Sequence, residues 1–109
     1  MPTPYERGIG LFNDERFWDA HEAWEEAWKH ETDPQRRLFL QGIIQVAAAL
    51  VHWQRGNGRG IALNWAKARA KLAVLGAAYA GLALPPLIAH MDHFAAVQGV
   101  GLAPPVLSL

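Results

Sequence analysis

The chain has 109 residues, no cysteine, 51% hydrophobic residues and a formal net charge of zero. That length suits a single domain, residues 1–109, with one hydrophobic core. The apolar content excludes a disordered chain, and the missing thiols exclude disulfides, cysteine catalysis and zinc–thiolate centres. A neutral balance supplies no bulk field for nucleic acid, so no nucleic-acid partner is expected.

The chain reads as helices throughout, because no stretch alternates with period two and β-branched residues are sparse. A first short helix is expected over Tyr5 to Phe12. Asn13-Asp14 then turns the chain, with Asp14 as a candidate N-cap for a second helix from about Glu15 to His30. Asp33 and Pro34 read as N-cap and first position of a third helix that runs to about Arg55. This third helix carries Leu, Ile, Val and Ala nearly all round, so it should be the central one. Gln45 and His52 interrupt its apolar run, which leaves no membrane span. Gly56-Asn57-Gly58 breaks it, and Arg59 beside those glycines could meet an anion, although a helix-to-helix turn already accounts for the segment.

A fourth helix is expected from about Gly60 to Gly76, with Ile61, Trp65, Ala68, Leu72 and Leu75 on its apolar stripe and Lys67, Arg69 and Lys71 off it. Residues 77–83 have no clear pattern, and a fifth helix is expected from Pro85 to about Gln98. The apolar tail, residues 99–109, is expected to be extended along the surface or against a neighbouring subunit. The expected fold class is therefore all-α, an irregular antiparallel array of four to five helices. The first residues, MPTPYERG, lack the apolar core of a signal peptide, and a cytoplasmic location is the expectation.

Charge is unevenly spread. Eight of the ten acids lie between Asp14 and Asp33, and none lies between Pro34 and Met91, where seven of the ten basic residues fall. The simplest reading is an acidic helix packed beside basic helices.

The candidate site lies on the second and third helices. At about 100° per residue, His21 shares a side with Phe17, Trp24 and Trp28, and Glu25 is one turn on. Glu22 lies further round. On the third helix Gln41, Gln45, Ala48 and His52 stack in one polar stripe. If both sets face inward between antiparallel helices, three readings stand. Two imidazoles and a carboxylate, His21, His52 and Glu25, could hold a divalent metal, with Glu22 as base and Gln41 and Gln45 orienting water or substrate. The same residues could form a buried hydrogen-bond network that fixes register, or a polar pocket for a small ligand. His90 and His93, with Asp92, are a weaker metal candidate. His30 suits a helix C-terminus, where the dipole favours positive charge. The five tryptophans read as core or interface aromatics.

The segments FNDERFWDAHEAWEEAWKH and RRLFLQGIIQVAAALVHWQRGNGRG, spanning Leu11 to Gly60, resemble domain-of-unknown-function family 309. The resemblance implies a compact all-helical fold. Its polar positions map to His21, Glu22, Glu25, Gln41, Gln45, His52 and Asn57. Some members carry the label of predicted metal-dependent hydrolase, so a metal-assisted hydrolase is one expectation. The rival is a non-catalytic interaction module that forms a homodimer through its tryptophans and tail.

Overall fold

Thr3 opens the first helix, α1 (Pro4–Asn13), with a reciprocal cap. Its hydroxyl accepts from the Glu6 N–H at 3.1 Å, and the Glu6 carboxylate accepts from the Thr3 N–H at 3.0 Å. The helix ends at Asp14, whose N–H donates to Gly10 O at 3.1 Å. Asp14 therefore closes α1 rather than capping the second helix, as the sequence had suggested. Glu15 follows at positive φ, and α2 (Phe17–His30) starts without a side-chain cap. The Gln54 amide supports this turn from outside by donating to Glu15 O at 2.8 Å.

The third helix, α3 (Pro34–Gln54), begins as its sequence dictates. Pro34 occupies the first turn and the Asp33 carboxylate accepts from the Arg36 N–H at 2.8 Å. Gly56, at positive φ, ends it. Asn57 then caps α4 (Gly58–Leu72), accepting from the Gly60 N–H at 3.0 Å. The RGNGRG segment is thus a capped helix-to-helix turn.

After α4 a two-residue ladder forms, β1 (Ala78–Tyr79) pairing antiparallel with β2 (Leu82–Ala83) around Ala80-Gly81, both at positive φ. That backbone is the primed hairpin turn. α5 (Leu84–Ala96) follows directly, with both prolines in its first turn, where a missing N–H costs nothing.

The computed structural model describes all 109 residues, and its helices share one core. α3 lies at its centre. Phe39 meets Tyr5 of α1 and Tyr79 of the hairpin, while Trp53 meets Phe17 of α2 and Phe94 of α5. α2 and α4 run along its two sides, and Gly42 lets Leu72 close against it. The tail, residues 102–109, has no helix or strand and folds back on its own chain. Asn13 donates to Leu107 O and accepts from Leu107 N–H, both at 2.8 Å, and Leu107 joins the core. No helix is long and apolar enough to cross a membrane.

Candidate functional site

The buried residues of α3 include Phe39, Leu40, Ile43, Val46, Ala47 and Leu50. At about 100° per residue these point one way, and Gln41, Gln45, Ala48 and His52 point the other. No polar or charged side chain of the protein is buried. The polar stripe therefore faces outward, not inward, and forms the floor of an open face walled by α2 and α4. Flanking helices half-cover it on both sides, which is why α3 looks apolar nearly all round.

On the α2 wall, Trp18 stacks on His21 with ring centroids 5.2 Å apart and planes 8° apart. The outer ring is 52% exposed, the only tryptophan among the exposed large apolar residues. Of the other four, Trp24 and Trp65 are buried and Trp28 and Trp53 half-buried, and Trp24 donates to Tyr5 O at 3.0 Å. His21 Nε2 lies 3.6 Å from Glu25 Oε1, beyond hydrogen-bond range. His21 Nδ1 is covered and has no partner, and neither has the Trp28 indole N–H. Trp28 is held from the side by Arg37, whose guanidinium lies 4.1 Å from the ring centre and donates to Trp28 O and Glu31 O. Glu25, Trp28, Gln41, Ile44 and Gln45 line a pocket of about 180 Å³ between α2 and α3.

On the other side, the Gln45 carbonyl accepts from Lys71 Nζ of α4 at 2.9 Å. Gln45 thus links the two grooves of one face. His52 stands apart. Its ring lies against Gly60, where any Cβ would overlap it, and its Nδ1 is 3.1 Å from the Asn57 amide nitrogen. Glu22 is exposed and makes no ion pair or hydrogen bond. It borders a different shallow hollow, on the α1 side of α2, with Arg7, Asp19 and Glu26.

The structure therefore brings His21 to Glu25, and Glu25 to Gln41 and Gln45. It does not bring His52 to either. Along α3, His52 is seven residues past Gln45, about 10 Å at helical rise, whereas ligands of one zinc ion sit within ~2.3 Å of it. No three His, Asp or Glu side chains stand close enough to share an ion. The expected buried network fails too, since no hydrogen bond joins His21, Glu25, Gln41 and Gln45 to one another. Lys71 is the member sequence reasoning overlooked. The signal was present, because Lys71 falls on the edge of the α4 apolar stripe rather than opposite it.

The remaining candidates have structural roles. Asp92 accepts from Trp65 Nε1 at 2.9 Å and from both Arg69 Nε and Nη2 at 2.9 and 3.1 Å. Those bonds, chiefly with Arg69, hold its carboxyl below the usual range. His90 Nε2 is 2.7 Å from Ala103 O and fastens the tail, while His93 is exposed. His30 is exposed at the C-terminal end of α2.

With this geometry in hand, known proteins add the following. A family model described as Domain of unknown function (DUF309) matches residues 5–63, from α1 into α4. The chain is similar to "Uncharacterized protein YpuF" of Bacillus subtilis (strain 168), 39% identical over 44 residues, which are 40% of this chain and 25% of that protein. The matched stretch thus spans a quarter of its curated relative. No solved structure matches.

Proposed function

We propose that this chain, which belongs to the family described as Domain of unknown function (DUF309), is a non-catalytic helical interaction module. Its working surface is the outer face of α2, α3 and α4. One observation carries this reading: His21, Glu25, Gln41 and Gln45 lie on one open face, and no hydrogen bond joins them to one another. A buried network would require its members to satisfy one another, and Gln45 instead reaches out to Lys71. A metal-assisted hydrolase would require His52 beside His21 and Glu25, which would take a rearrangement of the α3–α4 corner. Exposed Trp18 over His21 suits recognition, since tryptophan on a surface is characteristic of interfaces.

Metal analysis of protein purified without a His-tag, alongside a His21→Ala variant, tests the reading. The expected result is no stoichiometric metal in either protein after loading with zinc, manganese or nickel and exhaustive washing. Stoichiometric metal in the parent that disappears in the variant would establish a metal centre and overturn the interaction module.

A further inference from the structure

We infer that the outer face of α2, α3 and α4 docks a second copy of this chain, related by a two-fold axis running along α3. The inference rests on the interaction-module reading and names its partner.

The face is electrically divided. Glu25 stands on the α2 wall, and Lys67 and Lys71 along the α4 wall. Neither lysine pairs with any acid of its own chain, and Glu25 has only the 3.6 Å approach of His21. Four other acids do find cations: Glu26 pairs with Arg7, Asp19 with Arg16, Glu31 with Arg36 and Asp92 with Arg69. Glu25, Lys67 and Lys71 thus leave unmatched charge of both signs on one surface.

Their placement decides the symmetry. Gln45 lines the pocket beside Glu25 and accepts from Lys71, so acid and lysine flank the same stretch of α3 from opposite sides. A half-turn about an axis along α3 swaps the sides and keeps the level. It sets the acidic wall of each copy against the basic wall of the other, twice. A half-turn about an axis across α3 would instead set acid on acid and lysine on lysine. Such self-complementarity is what an isologous interface requires.

Size and apolar content fit as well. Helices of 14, 21 and 15 residues, at about 1.5 Å per residue and ~9 Å apart, present roughly 700 Å² before side-chain relief. A standard interface covers about 800 Å² per partner. Trp18 and Leu63, exposed at 52% and 53%, supply apolar contact along the edges of the face. On α4, Leu63 falls on the same stripe as Lys67, one turn before it.

Two charge-reversed proteins test this by sedimentation equilibrium, with circular dichroism as the folding control. One carries Glu25→Lys, the other Lys67→Glu with Lys71→Glu. The parent is expected to be a dimer. Each variant alone is expected to self-associate about a hundredfold more weakly, because like charges then meet at both walls. Mixed in equal amounts, the two variants are expected to form a heterodimer, since each then offers what the other lacks. A folding defect could not produce that rescue. A parent that is monomeric at every concentration overturns the second copy as occupant while leaving the face open to another partner. Variants that dimerise as well as the parent overturn the face itself, and the interaction reading with it.

Discussion

Gly8 of α1 lies directly under the indole of Trp24 of α2, so a Cβ at Gly8 would overlap the ring itself. This contact sets how closely α1 approaches the helix that carries the Trp18–His21 pair. The indole N–H meanwhile donates to Tyr5 O one turn earlier at 3.0 Å. Gly8→Ala must push the two helices apart or turn the ring, which also strains that hydrogen bond. A loss of about 1–3 kcal/mol in urea unfolding is expected from overpacking. Gly10→Ala, where nothing lies within 4 Å, is expected to be neutral or slightly stabilising through helix propensity.

The Asp92 carboxylate accepts from both Trp65 and Arg69, tying α5 to α4. Asp92→Ala leaves the nearly buried Trp65 N–H without an acceptor, and a loss of about 1–3 kcal/mol is expected on that account. The Arg69 contact is half exposed and adds little. Because the folded carboxyl titrates below its ordinary value, its contribution is present above the ordinary carboxylate range and is lost as pH falls through the lowered value. Acid unfolding of the parent should therefore show a component that the variant lacks.

At the alkaline end the governing group is Tyr5. Burial pushes its hydroxyl up to about 12, against a smaller opposing pull from Arg36, and it donates to Ala80 O at 3.1 Å. The neutral form is the one the fold favours. Its contribution is complete below pH 10, the ordinary value for tyrosine, and drains away as pH rises towards the folded value. Tyr5→Phe should flatten this alkaline decline and cost about 1 kcal/mol at neutral pH for the lost hydrogen bond. Equilibrium unfolding between neutral and strongly alkaline pH measures both.

Asn13 and Leu107 form a two-point clamp on the tail. Asn13→Ala is expected to speed hydrogen exchange at the Leu107 amide and to cost about 1–2 kcal/mol, with the oligomeric state unchanged. A shift in oligomeric state would mean that the tail belongs to a subunit contact after all.

Much of this architecture was legible in the residues. Asp33-Pro34 marked the start of α3 because an acceptor and a missing N–H suit a helix N-terminus wherever they occur. The Ile61–Leu72 stripe of α4 and the central place of α3 followed from periodicity. The hairpin was not legible, since two-residue strands are too short to alternate and Ala80 gives no turn signal. The site was half legible. Its members on α2 and α3 could be named, and Glu25, Gln41 and Gln45 do line one pocket. Their direction could not be read, because a helix gripped on both sides carries apolar residues around most of its circumference. His52 was grouped with Gln45 by spacing alone, and spacing does not register that Gly60 leaves room for its ring on the α4 side.

His21, Gln41 and Gln45 belong to an open surface and not to a buried network. Urea unfolding of the triple variant His21→Ala, Gln41→Ala, Gln45→Ala, at a protein concentration low enough to keep parent and variant monomeric, tests that placement most directly. Substitutions on an open face change stability by about 0.5 kcal/mol each, so a total shift of no more than about 1.5 kcal/mol is predicted. A loss of about 3 kcal/mol or more, the scale of several buried polar groups left unsatisfied, would contradict it.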